Sequence, residues 1–134
     1  MSMSYLLDTN ICIYIAKKSP ENVLKKFKEL KAGSVGMSNI TYGELWYGIK
    51  KSQQPEKSAK ILEDLSFIIE PLPLPVTASE KYAEIRSSLE KQGTPIGNND
   101  LWIAAHAISE DLILVSNNIR EFSRIPNLKI ENWI

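Results

Sequence analysis

Four short pieces of the 134-residue chain put an acidic or amide side chain where a strand ends or a helix begins. They are Leu6-Leu7-Asp8-Thr9-Asn10, Thr41-Tyr42-Gly43-Glu44-Leu45, Pro95-Ile96-Gly97-Asn98-Asn99-Asp100 and Leu114-Val115-Ser116-Asn117-Asn118. Brought together, Asp8, Glu44 and Asp100 would crowd three carboxylates, with the carboxamide of Asn118, around one small volume. Such crowding is costly unless a divalent cation neutralises it. Oxygen ligation by carboxylates and waters suits Mg²⁺ or Mn²⁺. Other chemistries lack their parts. With His106 the only histidine and Cys12 the only cysteine, the chain cannot build a zinc site on those ligands. No G-x-S-x-G elbow, Walker A loop or G-x-G-x-x-G turn occurs.

Each piece also has a purely structural explanation. Asp8 could be a turn residue that caps the next helix. Thr41-x-x-Glu44 is a capping-box pattern if the helix starts at Thr41; if Ser38 caps it, Glu44 falls in the second turn and projects freely. Gly43, mid-helix, costs about 1 kcal/mol against alanine and usually marks close backbone approach. Asp100 falls in a first helical turn, where the macrodipole stabilises any carboxylate by about 0.3–1 kcal/mol. The stiff loop Gly93-Thr94-Pro95-Ile96-Gly97 before it is more than a cap requires. His106 lacks a second ligand at i+4 and reads as a satisfied or surface imidazole, and Cys12 as buried packing.

The elements that must position these residues alternate between strand and helix. Tyr5-Leu6-Leu7 reads as a buried strand that stops at Asp8, followed by a helix over 11–16 with Asn10 as its cap. Ser19-Pro20 starts another helix, with Val23, Leu24, Phe27 and Leu30 on its core face, and Gly33 ends it. A strand over 35–37, a helix from Ser38 to about 51, a helix over 55–65 and a strand over 67–69 follow. Pro71-Leu72-Pro73-Leu74-Pro75 reads as a rigid crossover rather than a proline-rich ligand. A helix over 77–92 ends at Gly93, and Asn98 or Asn99 caps the next, which runs to about 110. Leu101, Ala104, Ala105 and Ile108 face its core side, the small alanines letting it lie close on the sheet. A strand over 112–115, a short helix over 119–122 and a strand over 128–130 close the chain. The alternation predicts one α/β domain over 1–134, a mostly parallel central sheet of four to five short strands sandwiched by helices. In such sheets ligands bind beyond the carboxyl ends of the strands, where Asp8 and Asn117-Asn118 fall.

A hydrophobic content of 43% supports a real core. The 16 basic and 16 acidic residues cancel, so net charge gives no nucleic-acid footprint. Their distribution is uneven: ten Lys against five acids up to residue 60, then six Lys/Arg against eleven acids. That fits either a basic flank beside an acidic site or solvated helix faces. The lone cysteine fits a reducing compartment, and no leader-like or bilayer-spanning segment is seen, so the expectation is a soluble, cytoplasmic protein.

These pieces, in this order, resemble the PIN-domain ribonucleases, and most of all the VapC-type toxins of toxin–antitoxin pairs. The resemblance is carried by Leu7-Asp8-Thr9-Asn10-Ile11-Cys12, by Ser38-Asn39-Ile40-Thr41-Tyr42-Gly43-Glu44-Leu45, and most specifically by residues 93–107. Leu114-Val115-Ser116-Asn117-Asn118-Ile119-Arg120-Glu121-Phe122 and Leu128-Lys129-Ile130-Glu131-Asn132-Trp133 complete it. It implies a PIN-like fold and a metal-dependent endoribonuclease leaving 5′-phosphate and 3′-hydroxyl ends. Asp8, Glu44 and Asp100 match the three metal-binding acids, with Thr9, Ser116 and Asn117 in support; Ser116 matches the hydroxyl that orients the acids.

The family's fourth acid often follows the strand in a Thr-Asn-Asp pattern, which here reads Ser116-Asn117-Asn118. Asn118 therefore stands in a carboxylate position, and Glu121, about one helical turn on, is either its compensation or a surface glutamate. Arg120, Lys50 and Lys51 are the candidates for the RNA backbone. Trp46 and Tyr47 could stack an unpaired base, against a competing reading as core or dimer contacts. The resemblance further implies Mg²⁺ or Mn²⁺, structured RNA such as tRNA as substrate, a homodimer, and a VapB-type antitoxin through which operator DNA is bound. Two rival readings are a catalytically silent module on the same fold and a metal-dependent phosphatase or DNase.

Overall fold

A computed structural model describes residues 3–134. Its strands are β1 (Tyr5–Leu7), β2 (Val35–Ser38), β3 (Glu70–Leu72), β4 (Ile113–Val115) and β5 (Ile130–Glu131). They form one sheet in the order β3-β2-β1-β4-β5, every neighbouring pair parallel. The helices are α1 (Thr9–Lys17), α2 (Glu21–Lys28), α3 (Asn39–Lys50), α4 (Pro55–Ile68), α5 (Ala78–Lys91), α6 (Asn98–Ser109) and α7 (Ile119–Phe122).

The two-residue period of the strands divides the core. Leu6 and Leu114 point to one face, against Ile85 and Leu89 of α5 and Leu101, Ala104 and Ala105 of α6. Leu7 and Val115 point to the other, against Ile11 and Ile15 of α1, Ile49 of α3 and Leu62 and Leu65 of α4. Each side chain so buried contributes about 1.5–3 kcal/mol relative to exposure. Both faces of β1 and β4 are therefore covered, as a parallel sheet requires. At Gly36 a Cβ would stand 2.8 Å from Leu72 Cδ1 and 3.0 Å from the Glu70 carbonyl, so β3 can pair with β2 only because that position is bare. No helix among the described residues is long and apolar enough to cross a membrane.

Several boundaries differ from the sequence expectation. The apolar run Phe67-Ile68-Ile69 is not a strand: α4 continues to Ile68, and Phe67 is 81% exposed. Leu62, Leu65 and Ile69, at helical spacing, bury the core face instead. The strand is displaced to Glu70–Leu72 and includes Pro71, tolerated because β3 is an edge strand. The crossover is thus the remainder of the proline run. Pro20 is the residue before α2 rather than its first position, and no side chain caps that helix. Val23, Phe27 and Leu30 pack as expected, whereas Leu24 is only half-buried and joins neither core cluster. The final strand is pulled to Ile130–Glu131 by pairing with Leu114 and Val115.

Candidate functional site

From β1 the sheet grows one way through β2 and β3 and the other way through β4 and β5. A crevice therefore opens beyond the carboxyl ends of β1 and β4, the switch point of the topology. Asp8 leaves β1 there and Ser116 leaves β4.

Asp8 is buried and makes two hydrogen bonds. Its Oδ1 accepts from the Ile11 N–H at 3.1 Å and its Oδ2 from the Ser116 hydroxyl at 2.5 Å. Asp8, not Asn10, is thus the cap of α1, and Asn10 lies exposed in the first turn. The structural and chemical readings of Asp8 both hold, because its two oxygens face different elements. Burial raises its carboxyl above the ordinary 3.8; the bonds from Ser116 and Ile11 oppose this, and the charge of Glu44 adds to it.

Ser38 caps α3, its Oγ accepting from the Ile40 N–H at 3.1 Å and lying 3.0 Å from Nδ1 of His106. The capping box at Thr41 is therefore not formed, and Thr41 is buried within the helix. Glu44 lands in the second turn and projects toward α1, where the Thr9 hydroxyl donates to its Oε1 at 2.6 Å. His106 is the satisfied imidazole expected: 1% exposed, with burial lowering its pKa to about 4. Cys12 is also buried, and burial raises its thiol well above the ordinary range.

Asp100 sits in the first turn of α6. Gly97 precedes that helix, and neither Asn98 nor Asn99 caps it; the Asn98 carboxamide instead accepts from the Tyr82 hydroxyl at 2.5 Å. Burial lifts the Asp100 carboxyl to about 6, with further upward pushes from Glu121, Asp8 and Glu44 in that order. The order is informative. Glu121, on α7, is half-buried and acts on Asp100 more strongly than either other acid. It is not a remote surface glutamate. Arg124, which sequence reasoning passed over, donates to the Pro95 carbonyl at 3.2 Å and ties the segment after α7 to the loop that presents Asp100.

The remaining candidates separate. Ser116 aligns Asp8 and also accepts from the Asn118 N–H at 2.9 Å. Asn117 is exposed and reaches Tyr14 on α1 at 3.4 Å, with no hydrogen bond to an acid. Asn118 opens α7 half-buried, its side chain making no cap bond. Arg120 and Lys50 are exposed; Lys51 lies with its ammonium 4.5 Å from the centre of the Tyr47 ring. Trp46 packs half-buried against the core under α1, α3 and α4, whereas Tyr47 is 64% exposed.

Gly43 departs from its expected role. A Cβ there, or at Gly48, would meet nothing within 4 Å, so neither glycine serves close backbone packing. Each costs about 1 kcal/mol of helix propensity with no return inside the chain. Both line an open groove of about 630 Å³ that begins at Thr9 and Glu44.

Asp8, Glu44, Asp100 and Glu121 thus influence one another electrostatically across one crevice, but they are not drawn into a tight cage. Among the described residues no three acidic, histidine or cysteine side chains converge as a single ion's ligand set. Fit to a metal is decided by the donor chemistry. Mg²⁺ is commonly held by one or two carboxylates and keeps several waters, so a spaced ring of hard oxygen donors suits it. Burial lifts the Asp100 carboxyl to about 6, and the part that Glu121, Asp8 and Glu44 add to it is repulsion that a divalent cation would cancel.

The family model described as PIN domain matches residues 5–128. Ribonuclease VapC2 of Haemophilus influenzae is 45% identical over 132 residues, 98% of this chain and 99% of the relative. This chain belongs to the PIN-domain VapC ribonucleases. Another VapC relative, the tRNA(fMet)-specific endonuclease VapC of Shigella flexneri, is 40% identical over 131 residues, 98% of each chain. Among solved structures, VapBC2 from Rickettsia felis bound to a DNA fragment from its promoter superposes with a TM-score of 0.92 at 41% identity. That match covers 98% of this chain and 100% of the other. The α/β architecture and parallel five-stranded sheet are those of VapC proteins, as the sequence resemblance implied.

Proposed function

We propose that this protein is the endoribonuclease toxin of a type II toxin–antitoxin pair. It acts in the cytoplasm, cuts structured RNA such as tRNA in a single-stranded loop, and depends on Mg²⁺ or Mn²⁺. The observation that carries this reading is the spaced ring of Asp8, Glu44, Asp100 and Glu121 around the switch-point crevice, near enough that the other three push the buried Asp100 carboxyl upward. The names of the relatives at 45% and 40% identity support the reaction class and the substrate.

A bound divalent cation would supply acidification of a water and charge neutralisation on the phosphoryl oxygens. Asp8 and Asp100 would hold it, with Glu44 and Glu121 completing the acidic ring. The chain's own residues do the rest. Ser116 and the Ile11 N–H fix the Asp8 carboxylate against rotation. Thr9 engages one oxygen of Glu44, leaving the other to accept a proton from the attacking water. That water's oxygen would bond to phosphorus as the bond to the 3′ oxygen breaks, and the departing 3′ oxygen would take a proton from solvent, giving 5′-phosphate and 3′-hydroxyl ends. Glu121 takes the fourth-acid role in place of Asn118, whose amide adds no charge. Arg120, Lys50 and Lys51 would steer the RNA backbone.

The biological unit we infer is a homodimer held inactive by a VapB-type antitoxin, which also brings operator DNA. The solved VapBC2 complex on its promoter fragment supports that assignment. Incubating the purified protein with tRNA and Mg²⁺ or Mn²⁺ tests the function. Cleavage that stops on adding EDTA is expected. Full cleavage in EDTA would remove the metal from the reading, and no cleavage in either metal would favour the silent module.

A further inference from the structure

We propose that the stripe Asn39, Gly43 and Tyr47 on α3, continued by its cap residue Lys51, is the track for an unpaired RNA segment, with Tyr47 stacking one nucleobase and Lys51 holding a neighbouring phosphate. The proposal rests on the ribonuclease reading and adds the residues that position its substrate. These four positions recur at intervals of four, so they lie along one face of the helix, bare at Gly43. The ridge runs along the groove that opens from Thr9 and Glu44.

Three features of the ridge match a single strand. Tyr47 is 64% exposed and belongs to neither core cluster, so its ring is available as a stacking platform. Lys51 stands 4.5 Å from the ring centre and forms no salt bridge among the described residues, so a cation is parked at the platform without a carboxylate partner. Gly43 and Gly48 leave open space where any side chain would narrow the groove. The carboxamides of Asn39 and Asn99 add polar lining suited to base edges or sugar hydroxyls.

The spacing also matches. Glu44 to Lys51 is seven residues, about 10 Å along a helix. That places the Lys51 ammonium within a few nucleotides of the acidic site along a bound strand. Ile40 and the Tyr47 ring make much of this groove apolar, so what assigns RNA as the occupant is the Lys51 ammonium, without a carboxylate partner among the described residues, beside an exposed aromatic face.

The test pairs two readouts on the full-length protein: anisotropy of a labelled single-stranded RNA, and steady-state tRNA cleavage. Tyr47→Ala should raise both Kd and KM about tenfold while kcat stays within about twofold, and Tyr47→Trp should restore them. Lys51→Gln should reduce the slope of log Kd against log salt by about 0.7. Gly48→Leu should raise the melting temperature yet weaken RNA binding, a split that a structural role would not give. Wild-type Kd and KM in Tyr47→Ala would overturn the track while leaving the ribonuclease reading intact, and weakened capture of a coexpressed antitoxin in that variant would assign the ridge to protein. If the wild type binds RNA without cutting it, the ribonuclease reading fails. The track survives that result only if Tyr47→Ala abolishes the binding.

Discussion

Asp8 and Asp100 stand on the same sheet edge, both raised above the ordinary carboxylate range chiefly by burial, yet their surroundings are opposite. Asp8 receives hydrogen bonds from Ser116 and the Ile11 N–H and is the cap of α1. Asp100 receives no hydrogen bond among the described residues and faces Glu121, Asp8 and Glu44. One acid is anchored by its own hydrogen bonds, and the other is placed only by the first turn of α6 and the Gly93-Thr94-Pro95-Ile96-Gly97 loop before it. The contrast teaches that an acidic site can divide its labour. A fixed carboxylate keeps the geometry, while an unrelieved one stores the repulsion that a cation would discharge.

Removing the anchor should have the largest combined effect. Asp8→Ala should abolish RNA cleavage and also lower stability by about 2–3 kcal/mol, since it deletes a helix cap and strands the buried Ser116 hydroxyl. Urea denaturation beside a cleavage assay measures both. Loss of cleavage with unchanged stability would break the comparison, because Asp8 would then be no anchor. Ser116→Ala should act in the same direction with less force: about 1–2 kcal/mol of stability, and about tenfold in cleavage through misalignment of Asp8.

On the unanchored side, Glu121→Gln should weaken Mn²⁺ binding by about tenfold in calorimetry without destabilising the fold. Asn118→Asp should tighten it if the amide lines the same crevice. Unchanged affinity in Glu121→Gln would return that residue to the surface and leave Asn118 as the fourth position.

The smallest effect separates the acids from the other buried titratable group. His106 is held at about 4 against an ordinary 6.5, so the unfolded chain takes up a proton that the folded chain refuses. Its contribution is therefore fully present above pH 6.5 and is lost as pH falls toward 4, on the order of 1–2 kcal/mol by pH 5. Stability curves of the wild type and His106→Gln at pH 7 and pH 5 should show the gap between them shrinking at the lower pH. A constant gap would mean that His106 titrates normally.

Much of this arrangement was legible from residue types. Leu-Leu-Asp at the end of an apolar strand, Ser38 before a helical run, and glycine and proline flanking Asp100 are local signals, and the structure follows them. What was hidden depends on distance in the sequence. Asp8 displaced Asn10 as a cap because Ser116, 108 residues away, fixes its rotamer. Phe67-Ile68-Ile69 carries strand-like residues, but the buried positions of α4 followed the helical period. The weight of Glu121 on Asp100 comes from packing α7 beside the Asp100 loop, which no spacing within one element reveals. Gly43 misled for a related reason: a Cβ there would meet nothing within 4 Å, so the glycine serves no close packing inside the chain.

The most direct test of the account is Asp100→Asn, assayed for tRNA cleavage in Mg²⁺ and for melting temperature in the same preparation. The substitution keeps shape and removes the charge that Glu121, Asp8 and Glu44 oppose. Cleavage reduced by at least about 100-fold, with a melting temperature equal to or above the wild type, is the predicted result. Cleavage at the wild-type rate by a folded Asp100→Asn protein would contradict the account at its centre.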